Sequence, residues 1–225
     1  MSKIIYTITD EAPYLATHSF LPIVEAYTAE AGIKLEVTAV ELDPELAIMY
    51  QERFPNDTVI VADAHQYLLD HYKEFDFIWS SPPCPSHSRA RFAGYGDAYP
   101  VYPDMKLYQE IILLDNSFKG KYVVENVIPY YEPLIPAKKR GRHLYWTNFN
   151  IPTVLSERKS VGMESKGEIN QWCEFHDYDF WSYKGKQRTD KIARNLVDYE
   201  AGKTILETAL GIIRKKDITQ TELFK

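Results

Sequence analysis

Asp76-Phe-Ile-Trp-Ser-Ser-Pro-Pro-Cys84-Pro-Ser-His-Ser88 is the stretch whose reading decides the fold. Asp76 to Trp79 is a short apolar run of strand type. It stops at Ser80-Ser81-Pro82-Pro83, because proline lacks the N–H that a central strand must donate. Cys84 follows at once. The pattern predicts a strand that delivers a thiol onto a proline-stiffened loop at the carboxyl edge of a sheet, where open α/β folds place their ligands. A buried cysteine beside a turn is the plain alternative, since a free cysteine commonly behaves as a small hydrophobe. Two prolines before the thiol, one after it and Ser88 four residues on favour a reactive group.

The chain on either side of this stretch alternates strands with helices. Upstream, Lys3 to Ile8 reads as a first strand. Thr9 or Asp10 then caps a helix with Pro13 near its first turn, running to about Ala31 before Gly32. Lys34 to Val40 is a second strand ending in Glu41-Leu42-Asp43-Pro44, and Pro44 opens a helix through about Phe54. Thr58 to Ala62 is a third strand, followed by Asp63 and a short helix from about Gln66 to Tyr72. Downstream, 93–103 is rich in glycine, tyrosine and proline and reads as a mobile loop. Leu107 to Phe118 is helical, and Lys121 to Val124 is a strand with Glu125-Asn126-Val127 at its end. Arg142 to Phe149 is a further strand, 151–190 shows no clear periodicity, and Tyr199 to Ile213 is a closing helix. Such alternation predicts a parallel, doubly wound sheet.

Composition sets limits. At 225 residues, 45% hydrophobic and 26% charged, the chain fits one soluble α/β domain, with or without a small appendage. No apolar run reaches the roughly 18–20 residues of a membrane span, so no membrane association is expected. No secretory signal is evident at the start. Cys84 and Cys173 are the two cysteines, which argues against a disulfide scaffold and points to the cytoplasm. Neither has metal-ligand spacing to a second cysteine or a histidine, so no metal site is expected. The net charge of −6 speaks mildly against nucleic-acid binding. It conceals two basic clusters, Lys138-Lys139-Arg140-Gly141-Arg142-His143 and the run from Lys184 to Arg194 with Lys186, Arg188 and Lys191. Each is either a solvated face or a set of phosphate contacts.

Pro82-Pro83-Cys84-Pro85 followed by Ser88 resembles the nucleophile motif of the cytosine-C5 DNA methyltransferases. Matching segments run from about Val37 to Gly211. The family carries an acid after each of three strands, and Glu41, Asp63 and Glu125 stand at those places. The resemblance implies a Rossmann-like, S-adenosylmethionine-dependent methyltransferase sheet with a small irregular recognition region. Residues 1–150 would be catalytic, 151–190 would recognise the target, and 191–225 would return to the catalytic domain. By the same resemblance Glu41 holds the ribose of S-adenosylmethionine and Asp63 contacts its adenine, with Pro82 and Asn195 also serving that cofactor. Glu125 grips the target cytosine, and Arg142 lies in the arginine motif lining the cytosine pocket. Helix capping or solvation is the plain reading of each acid, and an ordinary helix start that of Asn195. The implied partner is duplex DNA with one cytosine flipped out, met by a monomer in restriction–modification or phage self-protection. RNA is the alternative polynucleotide, since the chemistry at the base is the same.

That chemistry explains the residue types. C5 of cytosine is a poor nucleophile until another nucleophile has added at C6, and a thiolate both attacks and leaves readily. A carboxyl group at N3 would draw electrons from the ring, and burial at a dry sheet edge can raise its pKa for that purpose. The base must leave the stack for any of this to occur.

Two departures stand beside the resemblance. The family opens with a strand and a Phe-x-Gly-x-Gly loop, whereas Thr7-Ile-Thr-Asp-Glu-Ala-Pro13 has no glycine to admit a cofactor close to the backbone. Residues 1–36, through Lys3-Ile-Ile-Tyr-Thr-Ile-Thr-Asp-Glu-Ala-Pro13 and Ser19-Phe-Leu-Pro-Ile-Val24, instead resemble the N-terminus of monomeric NADP-dependent isocitrate dehydrogenase. Leu144 stands where the arginine motif usually has a second arginine. A catalytically weak or silent methyltransferase relative is therefore the competing expectation.

Overall fold

The computed structural model describes residues 2–7, 35–92, 101–158, 161, 168–176, 178–182, 189, 193 and 198–212. The expected helix to Ala31, the loop 93–100, Asn195 and the basic residues from Lys184 to Arg194 lie outside the described residues.

Strands β1 (Ser2–Thr7), β2 (Leu35–Glu41), β3 (Thr58–Val61), β4 (Phe77–Ser80), β5 (Lys121–Val127), β6 (Lys138–Arg140) and β7 (His143–Thr147) form one sheet. Its order is β3-β2-β1-β4-β5-β7-β6. The pairs joining β1 to β5 and outward to β3 are all parallel. β7 alone reverses, running antiparallel to both β5 and β6. The carboxyl ends of β2, β3, β4 and β5 therefore share one edge with the start of β7.

Among the described helices, α1 (Pro44–Arg53), α2 (Ala64–His71), α3 (Lys106–Ser117), α4 (Glu168–His176) and α5 (Tyr199–Leu210) begin or end on readable signals. Asp43 caps α1 through the Glu45 N–H, with Pro44 at the first position, where no N–H is needed. Asp63 caps α2 and Asp198 caps α5. Gly211 ends α5 at φ 73°, and the Ile212 N–H closes back onto the Glu207 carbonyl, a left-handed stop that glycine adopts without strain. Gly120 is required for a different reason. A β-carbon there would lie 2.2 Å from the Asp76 carbonyl oxygen, which accepts from the Lys121 N–H.

The two sheet faces carry separate cores. On one, Val37, Ala39, Phe77, Trp79, Val123 and Tyr145 pack with Tyr50 and Phe54, and with Ala201, Ile205 and Leu206 of α5. On the other, Val40, Ile78, Val124 and Trp146 pack with Leu68 of α2 and with Leu107, Ile111 and Leu114 of α3. The expected doubly wound sheet is thus present, but mixed rather than wholly parallel, because β7 reverses. β4 is buried at every position because it is central and covered on both faces, and that is why it reads as a continuous apolar run rather than an alternation.

Three expectations need correction. Lys138–Arg140 is a strand, since it closes a hairpin on β7 through Gly141 at φ 56°. β5 continues through Glu125-Asn126-Val127, because β7 pairs with it to the end. Residues 168–176 within the unpatterned region form α4, whose Trp172 packs with Phe180 and Ala193 in a small third cluster. Among the described residues no helix is long and apolar enough to cross a membrane.

Candidate active site

The Cys84 loop leaves β4 at the shared edge and is fastened on several sides. The His87 and Ser88 N–H groups both donate to the Cys84 carbonyl, at 2.9 and 3.0 Å, folding 84–88 into a tight turn. Ser86 Oγ accepts from the Asp104 N–H at 2.9 Å. Cys84 is a half-buried thiol outside any disulfide. Beneath it Ser80 donates to the buried Glu110 of α3, whose other oxygen lies 2.9 Å from His65 Nδ1 of α2. The last residue of β4 is thereby tied to both helices on that face.

The second wall is the end of β5. Asn126 Nδ2 donates to the Pro82 carbonyl at 2.8 Å, while Asn126 Oδ1 accepts from the Val127 N–H at 2.9 Å. Beyond it, the Tyr130 N–H donates to the His87 carbonyl, and Arg89 Nε to the Pro129 carbonyl at 2.9 Å. The proline–cysteine loop and the stretch after β5 are therefore stitched together along their length. Glu125 is buried and faces His143, with Oε1 3.5 Å from Nε2. Burial lowers the pKa of His143, Glu125 partly opposes that, and Arg142 adds to the lowering. The imidazole is thus held toward its neutral form.

Cofactor candidates sit on the other side of β1. Glu41 is buried at the end of β2 and accepts from the Asp43 N–H at 2.8 Å. Its acceptor chemistry at a strand end suits a ribose diol. Asp63 serves as the cap of α2, accepting from the Gln66 N–H at 3.1 Å, and pairs with Lys106 at 3.4 Å. Burial raises its pKa, but the Gln66 hydrogen bond and the Lys106 charge outweigh that and leave it lowered. The capping reading of Asp63 is met; an adenine contact would have to share this carboxylate.

Asn126 and Pro82 are thus joined, with Glu125 one residue before the first and Cys84 two beyond the second, and Glu41 and Asp63 lie along the same edge two and three strands from β4. Arg142 stands in the β6–β7 turn, opposite the end of β5. Its guanidinium lies 5.8 Å over the Trp172 ring. It faces a cavity of about 330 Å³ that neither Cys84 nor Glu125 lines.

Sequence reasoning passed over His87. It is buried, its Nδ1 is 2.6 Å from the Tyr131 hydroxyl, and its Nε2 has no partner among the described residues. Burial lowers its pKa, with Asp104 opposing. Its position three residues after Cys84 was the available signal. Nothing in the sequence pointed to Glu110 or Arg158.

The family model of monomeric isocitrate dehydrogenase matches residues 3–74. Isocitrate dehydrogenase (NADP) 2 of Colwellia maris is 66% identical over 41 residues, 18% of this chain and 6% of that protein. Its namesake in Psychrobacter sp. (strain 13A) is 34% identical over 232 residues, 97% of this chain and 30% of that protein. The likeness expected to end near residue 36 therefore runs on past Glu41 and Asp63. The chain spans less than a third of these relatives' length. Among solved structures, the Entamoeba histolytica methyltransferase EhMeth aligns over 96% of this chain and 99% of its own, at TM-score 0.51 and 9% identity. The fold, a Rossmann-like α/β sheet, is shared with that methyltransferase. At that identity the likeness speaks for the fold, and the site must argue for itself.

Proposed function

We propose that this chain transfers a methyl group from S-adenosylmethionine to C5 of cytosine in a polynucleotide, DNA in the first instance. The observation that carries the reading is the hydrogen bond from Asn126 to the Pro82 carbonyl. It ties the thiol loop to the strand that carries the buried Glu125, at the sheet edge where open α/β folds take their ligands.

In this reading Cys84 Sγ, as thiolate, adds to C6 of a flipped cytosine. Glu125 hydrogen-bonds N3 and supports the electron density that moves to C5. When bound at the β1–β2 edge, with Glu41 on its ribose, the cofactor supplies an electrophilic methyl group. After C5 has taken the methyl, its proton leaves to a base, the Sγ–C6 bond breaks and the thiolate is restored. Lowered basicity at His143 leaves an imidazole held toward neutrality beside Glu125.

A catalytically weak or silent relative is the second reading, favoured by the glycine-free turn between Thr7 and Pro13. The test is a covalent trap. With cofactor present, an oligonucleotide bearing 5-fluorocytosine should form a denaturant-stable adduct with the protein, and Cys84→Ser should form none. Running DNA and RNA versions side by side chooses the polynucleotide. An equal adduct yield with the serine variant would refute the assignment of Cys84.

A further inference from the structure

The cavity beneath Arg142 lies between the β6–β7 turn, residues 153–158, α4 and the start of α5. Three guanidinium groups line it, Arg140, Arg142 and Arg158, and Asp198 is the one acid among the lining residues. Their donors are used very differently. Arg140 gives its N–H groups to the carbonyls of Pro152, Ile151 and Lys139, at 2.6, 3.2 and 2.8 Å, so its charge has no acid in that set. Arg158 pairs with Asp198 at 3.3 Å, donates to the Phe175 carbonyl and stacks 4.2 Å over the Phe175 ring. Arg142 has its ring contact with Trp172, and its N–H groups meet no hydrogen-bond acceptor among the described residues.

The platform under Arg142 is rigid and closed. Trp172 is almost fully buried, bonds Glu168 at 2.9 Å and stacks on His176 at 5.4 Å. Its ring lines the cavity with Arg142 over it, so recognition of a charged ligand falls to the guanidinium fork, whose planar geometry suits two oxygens of one oxyanion. Arg140 adds a positive field, while Asp198 is neutralised by Arg158. Position narrows the choice further. Arg142 adjoins His143, which pairs with Val127 across β5 and lies 3.5 Å from Glu125. The cavity thus begins one residue from the candidate base site.

We infer that this cavity is a phosphate subsite, in which Arg142 grips a backbone phosphate of the nucleotide beside the target base. The inference rests on the nucleic-acid reading above. The same chemistry would accept a free phosphorylated ligand, and the experiment separates the two sources. Binding of a cytosine-containing oligonucleotide is followed by fluorescence anisotropy across a salt series, for the unaltered protein, Arg142→Gln and Arg142→Lys, with thermal melts confirming that each folds. In parallel, inorganic phosphate and cytidine monophosphate are titrated by phosphorus magnetic resonance.

Losing one phosphate contact should lower the slope of log affinity against log salt by about 0.7–0.9 in Arg142→Gln. Arg142→Lys, which keeps the charge and loses the fork, should keep the slope and bind several-fold more weakly. An unchanged slope and affinity in Arg142→Gln would overturn the backbone-phosphate assignment. If the unaltered protein binds no oligonucleotide, the nucleic-acid reading itself fails, and the phosphate titrations decide the cavity. A phosphorus shift lost in Arg142→Gln would then support an oxyanion site for a free ligand, and no shift with the unaltered protein would overturn the site altogether.

Discussion

Glu125 is the residue on which the proposed chemistry turns after the thiol. It is buried at the end of a strand, opposite Tyr145 in the register and 3.5 Å from a histidine held toward neutrality. Glu125→Gln preserves volume and removes the acid–base option. Turnover in a tritium-release assay should fall on the order of 10²-fold or more, with the melting temperature nearly unchanged. A large loss of stability at full turnover would mean that the carboxylate is structural. The loop position of Cys84 was legible in the sequence because prolines end a strand whatever the fold, and Glu125 was legible as lying close to the end of β5. The partners that hold them were not. Asn126 was visible only as part of Glu-Asn-Val, and its bond to Pro82 joins residues 44 apart. Periodicity cannot report a contact of that kind. His87 looked like one more polar loop residue, whereas burial and the Tyr131 hydroxyl make it part of the loop's foundation.

Elements impose their own constraint, since the loop is only as well placed as β4, and Ser80 at the end of β4 is anchored through Glu110. His65 on α2 completes that link, and its pKa is raised by the hydrogen bond to Glu110, with burial opposing and the nearby Asp63 and Lys106 charges acting in opposite directions. A raised pKa means that the folded protein favours the protonated imidazole. The associated stability is fully present below the ordinary value of 6.5 and disappears as pH rises through the higher folded value. The unaltered protein should therefore exceed His65→Gln by about 1 kcal/mol in urea unfolding near pH 6, with the gap closing toward pH 9. A gap independent of pH would show that the imidazole charge is not involved. At this scale the alternating strands and helices were readable, because capping acids, prolines and glycines sit where chain direction changes. β6 escaped notice because a three-residue strand of Lys-Lys-Arg has no apolar signal and exists by pairing with β7. α4 escaped because Trp172 and His176 face a small local cluster rather than the sheet.

For the molecule as a whole the question is whether its first β–α unit serves the same purpose as the rest. β1 is central, with Thr7 aligned to Val40 of β2 and to Ser80 of β4, so the chain leaves it at the edge between Glu41 and the cysteine loop. In the proposed reading the cofactor sits there, and the residues after Thr7 must let it approach the backbone. Thr7-Ile-Thr-Asp-Glu-Ala-Pro13 has side chains throughout, and its stretch matches the isocitrate dehydrogenase family rather than a glycine-rich loop. Asp10 and Glu11 add two negative charges, repulsive toward the carboxylate of S-adenosylmethionine at close range. A helix start could offset about 0.3–1 kcal/mol of that. Like charges repel more strongly than so small an offset once they come close, so repulsion and crowding should win. The chain should fold, because β1 keeps its pairing on both sides, but bind the cofactor weakly in calorimetry. Exchanging residues 1–36 for a strand, a Phe-x-Gly-x-Gly turn and a helix should strengthen cofactor binding and methyl transfer together. Micromolar binding by the unaltered chain would show that this turn admits the cofactor without glycine. A graft that restores binding but no transfer would shift the fault to the Cys84–Glu125 edge.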